Sequence, residues 1–410
     1  MNNNDTQIIR GLASRVAELS ALPVMKEHVG LWKKLNSLKP ERPMVAIDQV
    51  CWHEMNVDDE LTPQCEDSEC RQYEQELRRI LYRWKHFPAD MVIEPLIRVP
   101  KAIGGISLGI SAHDETAVTD PDNDVVGHKY INQIHSMKDV EKVIIPIITH
   151  DKTETARRME VAGELFSGIL DVVEGGYDPY LSVWDPIATW MGVENALYAM
   201  VDMPEVIHAL VSKIVSAYMS MLNQMEEQGL LCRPQPNIHC TGAWTDELPA
   251  DGYNPLKPRT KDIWMFGLAQ MFSTVSPEMF EEFEIEPCQP LYQRFGLVYY
   301  GCCDPLDIKM EQVKKIKNVR KISSSPWVNE EKMAEQIGKQ YVYSRKPNPA
   351  FLAWELFDEG AVRSHLMDTV KICRKYGCPL EIILKDISTV KKDPSRLWRW
   401  SEIAKEAAYS

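Results

Sequence analysis

The sequence predicts an α/β fold, a (β/α)8 TIM barrel, and three observations lead there. Short apolar runs alternate with amphipathic helical stretches through most of the chain. Alternation of that kind implies a parallel sheet with helices outside it. The runs number about eight, the count at which a parallel sheet closes on itself. Several of them end directly in reactive polar side chains, as in NIHCTG, YGCCDPL and ILKDIS. The C-terminal ends of the strands are where such a barrel keeps its chemistry.

The elements follow in order. Thr6 to Leu38 reads as helix, with Ile8, Leu12, Val16 and Leu19 at helical spacing, and residues 1–40 form an N-terminal helical extension. Met44–Ile47 is the first strand, Ser68–His86 a charged helix and Asp90–Val99 the next strand. Glycines at 104, 105, 109 and 127 punctuate alternating apolar residues, so 101–134 reads as a β-hairpin insertion in one domain spanning 1–410. Asp139–Leu165 reads as helix, Ile169–Val173 as strand, and Pro204–Gln228 as an amphipathic helix that Gly229 ends. Asn237–Thr241 and Ile263–Leu268 are strands on either side of the Pro-rich loop Asp246–Lys261. After the helix Ser276–Phe295 come the strands Leu297–Tyr300, Val319–Ser323, Gln340–Ser344 and Glu381–Leu384. Between and after them lie the helices Ile308–Lys317, Asn329–Gly338, Ala361–Tyr376 and Pro394–Ala408.

Charge and composition narrow the function. With 46 basic against 60 acidic residues the net charge is −14, which argues against a general binder of nucleic acid or membrane surfaces. No window approaches the roughly 18 uninterrupted apolar residues of a membrane span. The opening MNNNDTQIIRGLASRV has no apolar core of a secretion signal, so the ten cysteines read as reduced thiols of a cytoplasmic protein.

Three strand ends carry candidate chemistry. In YGCCDPL, Tyr300 to Leu306, the vicinal Cys302 and Cys303 offer thiolates suited to zinc, one facing a site and the other packing behind it. Asp304-Pro305 in the same stretch also makes a good helix start. In NIHCTG, His239 can supply a metal ligand; a structural histidine beside a buried Cys240 is the competing reading. In ILKDIS, Lys385 and Asp386 directly follow an apolar strand, and a charge at a barrel mouth needs a partner or a substrate. A plain surface turn competes there. DQVCWHEM packs Asp48, Cys51, His53 and Glu54 at the end of the first strand as substrate or metal contacts, against simple helix capping by Asp48. Trp52, Trp184, Trp244, Trp264, Phe266 and Tyr300 lie at or near strand ends, where rings can stack on an aromatic substrate or cage a methylated cation, or serve only as core.

Other patterns fail. GISLG, Gly105 to Gly109, matches the nucleophile-elbow string but is followed by ISAHDETAVTDPD instead of a helix. CEDSEC and CRKYGC have four residues between their cysteines, poor spacing for a zinc knuckle. There is no phosphate-binding glycine loop of either nucleotide-binding type.

Three stretches resemble the uroporphyrinogen decarboxylase superfamily. They are GVENALYAMVDMPEVIHAL, SPEMFEEFEIEPCQPLYQRFGLVYYGCCDPL and LWKKLNSLKPERPMV, and the likeness runs from about residue 25 to the C-terminus. The resemblance implies a single barrel with its site at the strands' C-terminal ends, and barrels of that superfamily often pair as homodimers. Its true decarboxylases hold a polycarboxylate with an arginine-rich loop after strand one, where this chain has DQVCWHEM, with acids and no arginine. Its other branch comprises zinc-dependent, corrinoid-linked methyltransferases, whose zinc sits on a His-x-Cys and a last-strand Cys. Cys302 matches the Cys of His-x-Cys, Tyr300 stands at the His position, and Lys385-Asp386 lies near the missing last-strand Cys.

Taken together, the resemblance implies a methyltransferase working between a methoxylated aromatic or methylamine-type substrate and the cobalt of a corrinoid carrier protein. Zinc would be held by His239, Cys302 and Cys303, or by recruiting a carboxylate such as Glu54 or Asp386, and Lys385, Asp386 and Tyr300 would serve catalysis. Trp52, His53, Glu54, Trp184 and Phe266 would contact substrate. Two alternatives accompany this reading: a lyase acting on a small carboxylic acid held by Arg98 and Lys385, and a non-catalytic tetrapyrrole- or corrinoid-binding protein.

Overall fold

The computed structural model describes residues 2–118 and 126–410. Its strands are β1 (Met44–Ile47), β2 (Leu96–Pro100), β3 (Ala102–Gly104), β4 (Asp114–Ala117), β5 (Gly127–Tyr130), β6 (Thr149–Asp151), β7 (Asp171–Gly175) and β8 (Tyr180–Leu181). They continue as β9 (Asn237–Ile238), β10 (Thr241–Gly242), β11 (Trp264–Gly267), β12 (Leu297–Tyr300), β13 (Val319–Ser324), β14 (Val342–Arg345) and β15 (Leu380–Leu384). Seven of these make one parallel sheet in the order β1-β15-β14-β13-β12-β11-β8.

That sheet is strongly curved. His239 stacks on Phe266 of β11 and also accepts a hydrogen bond from Lys385, just past β15. Four strand spacings separate β11 from β15, about 19 Å in a flat sheet. The curvature is compatible with a barrel. Beside β1, the Asp90 N–H bonds the Val45 carbonyl; beside β11, the Gln235 amide bonds both N–H and C=O of Trp264.

Strand alternation sorts the apolar residues into two layers. Trp264, Phe266, Leu297, Tyr299 and Ile383 form an inner cluster with Ile238, Cys240 and Cys302. Their neighbours Met265, Val298, Tyr300, Ile382 and Leu384 belong to the outer core beneath the helices. Both faces are buried, so the strands read as continuous apolar runs. Each large side chain contributes about 1.5–3 kcal/mol on burial. Pro204–Gln228 is, by length and composition alone, the one helix among the described residues apolar enough to cross a membrane. Its Ile207, Leu210, Ile214, Met221 and Leu222 are buried in the outer core.

Several elements differ from the sequence reading. The N-terminal helix is two, Asn3–Ser20 and Pro23–Asn36, because Pro23 fixes its own φ and opens the second helix. Asp139–Leu165 is not one helix: Met137–Val140 is a single turn, and helix resumes only at Lys152–Phe166. The run Val143–Ile148 between them contains Pro146, which interrupts helical hydrogen bonding. The predicted strand Asn237–Thr241 folds back on itself, β9 pairing antiparallel with β10, because His239 at its centre takes φ +52°. No helix starts at Asp304-Pro305, and the predicted helix Ile308–Lys317 is a short one at Met310–Val313. Within 101–134, β4 and β5 form an antiparallel hairpin, while β3 pairs further along with β6; residues 119–125 of that insertion lie outside the described residues. Finally, β2 pairs with β7 apart from the central sheet, over a separate core against the helices Asn3–Ser20, Ser68–His86 and Lys152–Phe166.

Candidate functional site

Two inward-facing strand ends build the site. β12 turns out of the sheet at Gly301, φ +91°, where a Cβ would stand 2.7 Å from Leu306 Cδ1, so only glycine fits this sharp handover. It delivers Cys302 to a buried position. On β15, Glu381 and Ile383 point inward, and the same period brings Lys385 in. Lys385 Nζ donates to Cys302 Sγ at 3.3 Å and to His239 Nε2 at 3.1 Å. Asp386 Oδ2 lies 3.3 Å from the same ammonium, its side chain half-exposed. His239 and Asp386 both adopt left-handed backbone, φ +52° and +56°, a conformation that costs non-glycine residues of order 1 kcal/mol or more and clusters at functional sites.

The electrostatics follow from these contacts. Cys303 is exposed, with its sulfur 3.5 Å from that of Cys302. The hydrogen bond from Cys303 holds the Cys302 thiol well below the usual range; burial opposes this, and His239, Lys346 and Lys385 add to it. The same hydrogen bond, with burial, pushes Cys303 up, so the shared proton rests there. Burial works against the charge on Lys385, but Cys302, Cys240, Asp386 and Cys303 outweigh it and raise its pKa. The result is a sequestered thiolate–ammonium pair.

A polar layer lies under the pair. Lys346 Nζ donates to Tyr299 Oη at 2.9 Å and to Ser323 Oγ, and Tyr299 shares a 2.6 Å bond with Ser344 Oγ. Ser323 Oγ in turn donates to the Cys302 carbonyl at 2.8 Å. Rings close one side: His239 stacks on Phe266 with centroids 4.1 Å apart, and Tyr180 packs on Phe266 at 5.4 Å. Asp304, buried two residues after Cys302, accepts the Phe272 N–H, and burial pushes its carboxyl up to about 6.

Of the residues singled out in the sequence, His239, Cys302, Cys303, Lys385, Asp386 and Phe266 come together. The others do not. Tyr300 faces the outer layer, where its Oη donates to Glu284 at 3.0 Å; its neighbour Tyr299 is the tyrosine that faces inward. Trp184 lies in the outer core, edge-on to Phe272 with its indole N–H on the Phe283 carbonyl. Trp52 packs against Tyr82 and Phe87 outside β1, with the Arg79 guanidinium over its ring. Glu54 accepts hydrogen bonds from Thr389 and from the Val390 and Lys392 N–H groups, tying the loop after β1 to the loop after β15. His53 sits 3.8 Å from Glu54 on that latch. Arg98 is paired with Glu94 at 2.6 Å and is not beside Lys385.

Zinc was expected on His239, Cys302 and Cys303, and the donor set does not fit it. Among the described residues no three His, Cys, Asp or Glu side chains gather in a metal-holding group. A structural or catalytic zinc needs at least three such donors around one point. Here both His239 and Cys302 turn their donor atoms to the Lys385 ammonium, a cation built into the chain.

The sequence reading passed over Lys346, Tyr299 and Tyr180. Lys346 follows strand β14 as Lys385 follows β15, but β14 reads Val-Tyr-Ser-Arg, so no apolar run marked it.

No protein-family model matches the chain, and no curated protein sequence does. Among solved structures it is similar in fold to a methyltransferase from Methanosarcina mazei, at 9% identity and a TM-score of 0.50. The alignment covers 91% of this chain and 97% of that one.

Proposed function

We propose that the chain is a methyltransferase, built as a (β/α)8 barrel of the uroporphyrinogen decarboxylase kind. It moves a methyl group between a small methylated substrate and the cobalt of a corrinoid carrier protein. The observation that carries this reading is the Cys302–Lys385–His239 cluster at the C-terminal ends of β12 and β15. The fold likeness over nearly the whole chain to a protein described as a methyltransferase supports it.

The residues present suit methyl transfer without a resident metal. Lys385 is a held ammonium that can hydrogen-bond the substrate heteroatom and stabilise the electron pair left there as its bond to the methyl carbon breaks. Cys302 keeps that ammonium charged and in place. His239, Phe266 and Tyr180 offer an aromatic wall that excludes water and can face a ring or a methylated cation. A docked corrinoid carrier would supply reduced cobalt as the methyl acceptor.

The test is methyl transfer to reduced cobalamin from a panel of methoxylated aromatics and methylamines, followed by methylcobalamin absorbance. Transfer that falls about 100-fold in Lys385→Met and also falls in Cys302→Ala is expected. Wild-type protein that forms no methylcobalamin with any donor, yet releases carbon dioxide from small carboxylic acids, would replace this reading with the lyase.

A further inference from the structure

Two sulfurs stand side by side after β12 and differ in exposure. Cys303 is exposed, the one cysteine of the ten that is; Cys232 is partly covered, and the others, Cys302 among them, are buried. The two Sγ atoms are 3.5 Å apart, so a small side-chain movement closes them to the roughly 2.05 Å of an S–S bond. Lys385 Nζ, 3.3 Å from Cys302 Sγ, steadies negative charge on the buried sulfur, while the proton of the pair rests on Cys303. A solute arriving from solvent meets Cys303 first and finds an activated sulfur directly behind it. An accessible thiol poised next to a second one that can resolve it is the arrangement of a redox-sensitive pair. The other hydrogen-bonded thiol pair, Cys373 and Cys378, is buried at both ends.

We infer that Cys302 and Cys303 form a reversible oxidation site, which a small hydroperoxide closes into a disulfide between neighbouring residues. The shared proton crosses from Cys303 to Cys302 and leaves an exposed Cys303 thiolate. Its sulfur attacks one peroxide oxygen: the S–O bond forms, the O–O bond breaks, and the leaving alkoxide or hydroxide takes a proton from water. Cys302 then attacks the sulfenic sulfur of Cys303 and forms the S–S bond. The Cys302 proton goes to the departing hydroxide, which leaves as water. The pair loses two electrons and the peroxide gains them.

The bond is built to reopen. Neighbouring Cα atoms stand about 3.8 Å apart, closer than the roughly 4.4–6.8 Å usual across a disulfide. Strained and exposed disulfides are the ones that thiols reduce readily. Oxidation also removes the anion that keeps Lys385 charged. On the methyl-transfer reading the site is then silent until a thiol reductant reopens it; the disulfide itself does not depend on that reading.

The experiment treats the reduced full chain with hydrogen peroxide, blocks remaining thiols with iodoacetamide, digests with trypsin and reads peptide masses. Cleavage after Arg294 and Lys309 releases a peptide holding Cys302 and Cys303 and no other cysteine. Expected is this peptide two hydrogens lighter than its reduced form and without either alkyl group, returned to the doubly alkylated form by prior dithiothreitol. It should appear before any bond between Cys373 and Cys378. Cys302→Ser should leave Cys303 as a sulfenic acid that dimedone traps, and Cys303→Ser should leave Cys302 free for alkylation. Three wild-type outcomes each overturn the inference: a peptide still doubly alkylated at peroxide levels that oxidise glutathione, sulfinic acid on Cys303 beside an alkylated Cys302, or a Cys373–Cys378 bond that forms as fast. These decide the matter even where a variant does not fold. A disulfide in a chain that gives no methylcobalamin removes the methyl-transfer reading alone, and transfer by a chain that forms no disulfide removes this inference alone.

Discussion

Two lysines are buried inside the same curved sheet, and their surroundings differ. Lys321, on β13, is fully enclosed: Nζ bonds Glu381 at 2.7 Å, the Gly242 carbonyl at 2.9 Å and Thr241 Oγ1 at 3.2 Å. Trp32 and Trp264 cover it with ring faces 5.2 and 5.9 Å away. Every donor has a carboxylate or oxygen partner. Lys385 sits past the end of β15 with a sulfur and an imidazole nitrogen as neighbours and a half-exposed carboxylate to one side. Both are inward-facing residues of parallel strands. One is closed by oxygen ligands from its own interior; the other is held at a strand end by a sulfur and an imidazole nitrogen. A buried charge therefore points to chemistry by the kind of partner it has, not by its burial.

The comparison breaks most visibly at Lys321. Lys321→Met leaves Glu381 buried without a counter-ion and should cost about 3–5 kcal/mol in urea unfolding. Adding Glu381→Leu should recover most of that loss, since a matched apolar pair can replace a buried ion pair. Methyl transfer by the folded fraction should be unchanged. A Lys321→Met protein as stable as wild type would mean that the pair is not sealed.

A second enclosed group lies outside the sheet. Glu284 bonds Tyr292, Cys288 and Tyr300, and burial raises its carboxyl to about 7. The folded pKa lies above the unfolded value, so the stability linked to this group is complete below about pH 4 and is lost as pH rises through about 7. The span corresponds to about 3 kcal/mol. Glu284→Gln should flatten this part of the stability–pH curve, measured as urea midpoints between pH 5 and pH 8. A variant curve with the wild-type slope would refute the assignment.

Much of the site was legible because chemistry at strand ends interrupts apolar runs. YGCCDPL and ILKDIS both showed a buried strand handing over to reactive residues, and the two ends meet at Cys302 and Lys385. What the sequence hid is which face each residue takes. In β12 both layers are apolar, so Leu297-Val298-Tyr299-Tyr300 carries no alternation to mark the inward tyrosine, and a one-residue slip exchanges the two faces. His239 was found, but its left-handed φ, which turns β9 back into β10, has no signature as clear as a glycine. The aromatic residues after β1 and β8 looked like a mouth and are packing: Trp52 lies against Tyr82 and Phe87, and Trp184 lies edge-on to Phe272. Glu54 looked like a ligand and is a loop latch, satisfied by hydrogen bonds from a segment more than 300 residues away.

At the mouth, Lys385→Met tests the other half of the comparison. Removing the ammonium should lower methyl transfer about 100-fold, the scale for losing one preorganised donor at developing charge. Unfolding free energy should fall by less than in Lys321→Met, since Cys302 can take up its proton once the ammonium is gone. A variant that keeps full transfer activity would place the chemistry elsewhere.

The smallest effect separates two adjacent tyrosines. Tyr299→Phe removes the hydroxyl that accepts from Lys346 and shares a bond with Ser344, directly beneath Cys302. Tyr300→Phe removes only a bond to Glu284 in the outer layer. Tyr299→Phe loses two buried hydrogen bonds and Tyr300→Phe one, at about 1 kcal/mol of stability per bond. Their effects on the site should diverge. Tyr299→Phe frees the Lys346 ammonium next to the Cys302 thiolate and should change the pH profile of iodoacetamide labelling at Cys302, read by peptide mass. Tyr300→Phe should leave that profile where it is and shift instead the pH dependence of stability set by Glu284. If Tyr300→Phe moved the labelling profile and Tyr299→Phe left it in place, the inward and outward faces of β12 would have been assigned the wrong way round.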